Sequence, residues 1–489
     1  MRPKITIISA SFAKKILTEA VDILEKVGVF VENREAYALF RERGAKPKAA
    51  SADGTGKLTL PATMIEWALQ KAPKGIELYD VNNKRAASLR GNKPHFDPGS
   101  AALFLHDPAA GLIRRPTTAD LRKYITLVDR LPHYKLQSTA LISADVPEDC
   151  ADSYRLYLAL RYGRKPVVTG TFKKESFAVM QRMLETVRGG AANLKERPLA
   201  IFDACPSPPL MWSDLTAQSV IDAARAGIPS EFVSMPLTGS TAPVTLAGAV
   251  VQHAAETLSG VVLAQCAAEG APVIWGGSPA AMDLRFGTTP MGAIETMMID
   301  LSYAAVGKSL GLPTHAYMGL SDSKQVDYQA GMESALGIVL AALGGINVIS
   351  GAGMMDFESC QSLEKLILDH EVCGMAYRLL DGVAQRDEVM ALDLLAGLAP
   401  GGHLLTHPHT LKWFKKEILS PGKAIDRRAR GADSISELKT ADERARREME
   451  RLTAEMGEPY LEEAVLRELD DLIRWELNQQ GGDLPEHAA

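Results

Sequence analysis

The chain has little that would announce a macromolecular partner. Only 6% of its 489 residues are aromatic, and they are not interleaved with a basic stripe, so base-stacking platforms are not expected. A net charge of −6 offers no basic footprint for nucleic acid or another polyanion. The five cysteines, Cys150, Cys205, Cys266, Cys360 and Cys373, are scattered without a CxxC pair. That excludes a disulfide framework and argues for free thiols in a reducing compartment. Long apolar runs are also missing. The longest candidate, Pro243 to Gly270, is interrupted by Gln252, His253, Glu256, Gln265 and Glu269, which favours a buried helix over a membrane span. The N-terminal apolar stretch is broken by Lys14 and Lys15 and does not read as a signal peptide. The expected compartment is the cytoplasm.

Familiar catalytic motifs are absent too. "VGKS" at 306–309 has Ser302 where a phosphate loop requires glycine, and it falls inside a helical pattern. "HEVCG" at 370–374 lacks the second histidine of a zinc-protease helix. No GxGxxG follows a strand, and no GxSxG elbow occurs.

What is present is a rhythm. After a mixed region of helices and hairpin-like runs over residues 1–130, candidate strands alternate with helical patterns. The strands are "YKLQSTALIS", "PVVTGTF", "PLAIFDACP", "PSEFVSMPL", "APVIWGGS", "PTHAYMG", "INVISGAG" and "GHLLTHP". The helices include Cys150 to Arg161, Leu215 to Ala226, Thr245 to Ala268, Gly292 to Leu310 and Leu363 to Leu380. Junctions such as "AGIPSEF" and "LGLPTHA" pair a helix-ending glycine with a proline that forbids continuation. Eight alternations predict an α/β fold, a (β/α)8 barrel over residues 131–425. A doubly wound open sheet is the alternative. Residues 1–130 form an N-terminal helix and hairpin extension. Residues 426–489 form charged helices whose ion pairs suit a solvated face, with Leu461, Val465, Leu469, Leu472 and Ile473 as an apolar stripe for docking or oligomerisation.

In such a barrel, chemistry belongs at the C-terminal strand ends. Those ends carry Asp203, Cys205, Met235, Trp275, Ser278, His315, Tyr317, Asp322, Ser350 and Asp356. Alternation turns His315 and Tyr317 inward and puts Asp203 and Cys205 on one face. No Ser-His-Asp order and no close carboxylate pair is evident. Aromatic rings beside a buried acid suit a quaternary ammonium, although packing is the commoner role of Trp275 and Tyr317. His403, His407 and Cys205 raise zinc as a minority reading, set against a turn and a helix cap in "THPHT". The polar loop "GLSDSKQVDYQAG", 319–331, follows the sixth candidate strand, where Asp322 balances a cation or caps a helix and Asp327 caps the helix from Tyr328.

Two long blocks, "GSTAPVTLAGAVVQHAAETLSGVVLAQCAAEGAPVIWGGSPAAMDLRFG" and "GLPTHAYMGLSDSKQVDYQAGMESALGIVLAALGGINVISGAGMMD", resemble the trimethylamine methyltransferase superfamily of corrinoid-dependent enzymes. The segments "IELYDVNNK" and "GLIRRPTTADLRKYITLVDRL" fit the same pattern, so the likeness runs from about Ala13 to Leu380. It implies a (β/α)8 barrel that moves a methyl group from an amine to Co(I) of a corrinoid on a separate small protein. The founding members carry pyrrolysine. Every residue here is standard, so the chain is similar to the non-pyrrolysine branch acting on quaternary amines such as glycine betaine. A quaternary nitrogen already carries its charge and leaves as a neutral amine, so positioning and water exclusion suffice.

The expected substrate residues are Trp275, Tyr317, Phe96 and Phe357 around the cation, with Asp322 as counter-charge and His315, His407 or Arg285 for a substrate carboxylate. Gly276, Gly277, Ser278, Gly351 and Gly353 are expected to face the corrinoid; no metal ligand is expected. The rival readings are a quaternary-amine-binding protein without catalysis and a metal-assisted barrel lyase. A homo-oligomer is possible on this sequence; neither nucleic acid nor a membrane is expected as a partner.

Overall fold

Eight short parallel strands, each followed by a helix, organise the chain; the computed structural model describes residues 2–48, 53–429, 438–455 and 459–485. The strands are β1 (His95–Pro98), β2 (Gln137–Ser138), β3 (Val167–Thr169), β4 (Ala200–Ala204), β5 (Ser230–Ser234), β6 (Val273–Gly277), β7 (His315–Tyr317) and β8 (Val348–Ala352). The helices after them are α1 (Thr118–Arg130), α2 (Ala151–Tyr162), α3 (Ser176–Arg188), α4 (Asp214–Ala226), α5 (Leu246–Ala267), α6 (Ile294–Ser309), α7 (Tyr328–Gly344) and α8 (Leu363–Asp381). Strands β2 to β6 pair in chain order, and β7, β8 and β1 pair in a second parallel sheet. Single parallel bridges, Trp275↔Thr314 and Phe96↔Tyr134, join the two sheets at both edges, so the eight strands follow one another in a ring.

Local chemistry explains the punctuation. Gly227 ends α4 in the left-handed conformation (φ 70°), and Pro229 then starts the run into β5. Asp327 caps α7 by accepting from Ala330 N, as expected. At α1 the cap is Thr117: Asp120 accepts from the Thr117 N–H, closing a capping box.

Two expectations are corrected. Residues 402–408, "GHLLTHP", form no strand; they are largely exposed and lead into the helix Pro408–Glu417. Their place in the ring belongs to β1, from the segment assigned to the N-terminal extension, so the unit around the ring begins before residue 131. The short run Leu404, Leu405 and Thr406 imitates a strand, but a strand exists only where a partner edge accepts its hydrogen bonds.

The apolar helix α5 is apolar all round for a reason. It is mostly buried, wedged between the sheet and the helices Ala10–Lys26, Arg34–Glu42 and Ala62–Lys71. The charged C-terminal helices pack back on the body: Ala441–Thr453 against α8 and α1, Glu463–Gln479 against α2 and α3. The stripe Leu469, Leu472 and Ile473 is therefore spent on intramolecular packing.

The two ends of the ring differ. At the N-terminal end a hairpin, Ile76–Tyr79 with Arg85–Leu89, closes the opening. Its Ile76, Leu78, Ala87 and Leu89 meet Leu136, Val168, Ile201, Ile274 and Val348 in one apolar layer. The opposite end carries polar groups.

Candidate functional site

Period-two geometry carries the inward face of each strand from that apolar layer to the polar one. Two residues beyond Ile201 is Asp203, beyond Val348 is Ser350, and beyond Ile274 is Gly276. Asp97 on β1, Glu231 on β5 and His315 and Tyr317 on β7 complete the set. Asp97, Glu231, His315 and Ser350 are buried. Asp203 and Cys205 lie equally deep among protein atoms yet keep some solvent contact, which marks a recess reached by water.

These groups form one hydrogen-bonded chain. Ser350 Oγ donates to Asp97 Oδ1 at 2.7 Å, so its oxygen accepts from His315 Nε2 at 2.9 Å. His315 Nδ1 lies 2.8 Å from Glu231 Oε1. Glu231 in turn bonds Asp203, and Tyr317 O–H donates to Asp203 Oδ2 at 3.4 Å. Read as ionised, Asp203 Oδ1, both Glu231 oxygens and His315 Nδ1 are buried without a hydrogen-bond donor. A proton on Asp203 and another on Glu231 satisfy all of them, the first donating to Glu231 and the second to the neutral imidazole.

Electrostatics point the same way. Burial pushes Glu231 up to about 8 and holds His315 down at about 4, so the pair is neutral near pH 7. Burial, reinforced by the neighbouring Glu231, raises Asp203 well above the carboxylate range. Asp97 is raised in the same way by burial. The close carboxyl pair not evident in the sequence is thus Asp203 with Glu231, brought together by adjacent strands β4 and β5.

A fourth acid enters from the rim. Glu358 follows Asp356 and Phe357 in a turn whose three residues all have positive φ (49°, 55° and 69°), a strained arrangement for side chains of this kind. Burial raises Glu358 to about 8, and its Oε1 has no donor. The loop 319–331 braces this turn: Asp356 N donates to Ser323 O, Ser321 N donates to Met354 O, and Lys324 pairs with Asp356 at 3.3 Å. From α7, Glu333 accepts from Ser321 Oγ and Asp322 N of the loop. Asp322 caps no following helix. It accepts from Met291 N and Gly292 N, tying down the connection between β6 and α6, and burial lifts it to about 6.

The structure separates the expected site residues. His315 and Tyr317 are in the deep chain, with Gly276 beside them: a Cβ there would stand 3.0 Å from His315 Nδ1 and Glu231 Cγ. Asp322, Phe357 and Arg285 line an open cleft of about 800 Å³ at the rim. There Lys324 Nζ already occupies the Phe357 face at 3.9 Å, and Arg285 pairs with Asp283. Trp275 and Phe96 face the helices instead. The Trp275 indole donates to Tyr303 O and packs against Gly307, and Phe96 meets Tyr377 of α8 edge-on. Both are packing aromatics because they stand one residue out of phase with Gly276 and Asp97.

His407 is remote, an exposed cap on the helix Pro408–Glu417. Of the expected corrinoid-facing positions, Gly277 packs on His253 and Tyr303, Gly353 on Gln361 and Leu366, and Gly351 on Leu320. Ser278 is half-buried at the end of β6, its N–H donating to Ser234 O. Cys205 does not converge with His403 and His407, and among the described residues no group of three His, Cys, Asp or Glu side chains is disposed to hold a metal.

Asp97, Glu231 and Glu358 were missed in the sequence. The available signal was an acid inside an otherwise apolar strand, as in "SEFVS".

Comparison with known proteins places this arrangement. The family model described as trimethylamine methyltransferase (MTTB) matches residues 1–480, and the chain belongs to this family of amine methyltransferases. A trimethylamine methyltransferase MttB of Desulfitobacterium hafniense (strain DSM 10664 / DCB-2) is 30% identical over 85% of this chain and 82% of its own length. A glycine betaine methyltransferase of D. hafniense (strain Y51) is 28% identical over 99% of both chains. The crystal structure of the hydroxylamine complex of MtmB shares the fold, with TM-score 0.51 at 11% identity over 98% of this chain and 89% of that one.

Proposed function

We propose that the protein transfers a methyl group from a quaternary amine to the Co(I) of a corrinoid carried by a small partner protein. The eight strands form the (β/α)8 barrel of that enzyme, and the C-terminal helices are an outer layer of the same unit. The observation that carries the reading is the deep recess: four carboxyl groups, Asp97, Asp203, Glu231 and Glu358, with no lysine or arginine paired to them among the described residues. Nearby Arg155 is committed to the carbonyls of Ala151 and Thr139 and lies under Phe172. Such an interior suits a cation, and the Tyr317 ring adds a face for it. The glycine betaine methyltransferase relative, matched end to end, agrees with this class.

The residues present fit an acceptor that approaches from outside. Phe172, Met235, Leu284 and Phe286 expose apolar side chains on loops after the strands. Reduced corrinoid supplies the nucleophile that takes the methyl group. The chain's own residues bind the ammonium, orient one methyl outward and exclude water; the departing amine is neutral and needs no proton. The five cysteines are unpaired, as suits an intracellular, reducing setting.

The test is spectroscopic: purified protein with cob(I)alamin and, singly, glycine betaine, carnitine, choline, tetramethylammonium and trimethylamine. Methylcobalamin should form with a quaternary amine and not with trimethylamine. Formation only with trimethylamine would refute the reading. So would failure with every quaternary amine in the presence of candidate corrinoid proteins.

A further inference from the structure

The buried chain distinguishes two kinds of quaternary amine. A betaine brings its own carboxylate; choline or tetramethylammonium brings only positive charge. A site for a betaine needs a basic partner for that carboxylate, and among the described residues no lysine or arginine is ion-paired with the acids of the recess. Arg155 is held by Nε on Ala151 O and by Nη1 on Thr139 O beneath Phe172, Lys324 is paired with Asp356, and Arg285 sits exposed on Asp283. His315 donates its Nε2 proton to Ser350 and turns its other nitrogen to Glu231.

A site for a bare cation needs a negative charge that appears when the cation arrives. The Asp203–Glu231 pair is built for that. Glu231 is fully buried, and its two oxygens find hydrogen-bond partners only through the protons held on the carboxyl groups. The groups facing the pair are Asp97, His315, Tyr317, Glu358, Cys205 and, at longer range, Arg155. Burial pushes the Cys205 thiol up to about 12, and Tyr317 is raised as well, so neither gives up a proton near neutrality.

We propose that this recess selects quaternary cations that carry no carboxylate, and balances their charge by giving up one proton from the Asp203–Glu231 pair. An O–H bond of the pair breaks, its proton passes to the buffer, and the carboxylate stays beside the ammonium. This inference rests on the quaternary-amine reading above, but it concerns binding and is tested without methyl transfer.

The experiment is calorimetric titration of the full chain at pH 7 with choline, tetramethylammonium and glycine betaine, each in two buffers of different ionisation enthalpy. Choline or tetramethylammonium should bind at least ~10-fold more tightly than glycine betaine. Its binding should release about one proton, and its affinity should rise with pH. Asp203→Asn with Glu231→Gln should abolish the proton release and the preference. Glu269→Gln, at an exposed acid outside the recess that pairs with Arg43 and Lys71, should retain the release and serves as a second folded reference. Glycine betaine binding as tightly or more tightly would overturn the proposal, as would cation binding with no proton released. Tight binding with proton release but no methylcobalamin would support this inference while refuting the proposed reaction.

Discussion

The two floors of the strand ring are made by the same strands, two residues apart, and they are opposites. Below, Ile201, Ile274 and Val348 join the hairpin in a dry apolar layer. Above, Asp203, Gly276 and Ser350 belong to a recess of acids. Burying an isoleucine contributes stability, whereas burying a carboxyl costs it unless the group keeps its proton and its hydrogen bonds. The lower floor thus holds the ring in shape for an upper floor that works against it.

The largest effect expected from this contrast is on pH. Glu231 and Glu358, both raised to about 8 in the fold, bind protons that the unfolded chain releases above its ordinary carboxylate range. Their favourable contribution is therefore complete in acid and is lost as pH rises from about 4.5 to 8, at about 1.4 kcal/mol per unit for each group. Denaturant melts between pH 5 and 8 should show this decline, and Glu231→Gln with Glu358→Gln should flatten it. A slope unchanged in the double variant would remove the charge argument for the upper floor.

On the lower floor, Ile274→Ala should cost ~2–5 kcal/mol in the same melts. Amine affinity of the folded fraction should stay close to the parent value. A specific loss of affinity there would blur the division between floors.

Asp203→Asn with Glu231→Gln should do the reverse. The amides can reproduce the hydrogen bonds of the protonated acids, so the melting temperature should hold while methyl transfer falls by about 100-fold, roughly 2.7 kcal/mol. The smallest effect is at the boundary. Gly276→Ala places a methyl 2.9 Å from Phe232 O, and ~1–3 kcal/mol of crowding should appear as a lower melting temperature and weaker amine binding.

Much of this architecture was legible in the sequence because glycine and proline mark helix ends locally. The helices α2, α4, α5, α6 and α8 lie within two residues of the limits expected for them. The errors lie where the answer depends on distant partners. β1 was hidden in "HFDPGS", whose Asp-Pro-Gly reads as a turn, and only β8 makes it a strand. Trp275 was placed at a strand end without reference to its neighbour. Its bridge to Thr314, one residue out of phase with the inward His315, puts it on the outside. In the site, alternation turned His315 and Tyr317 inward and put Asp203 and Cys205 on one face. Glu358 depends on three consecutive left-handed residues, for which these side chains give no local signal.

Ser350 bonds Asp97 across 253 residues of sequence, the last strand completing what the first began. During synthesis the recess therefore has no existence until residue 358 has left the ribosome. Until then its acids stand in water as ordinary carboxylates, and they are desolvated only once the first and last strands meet.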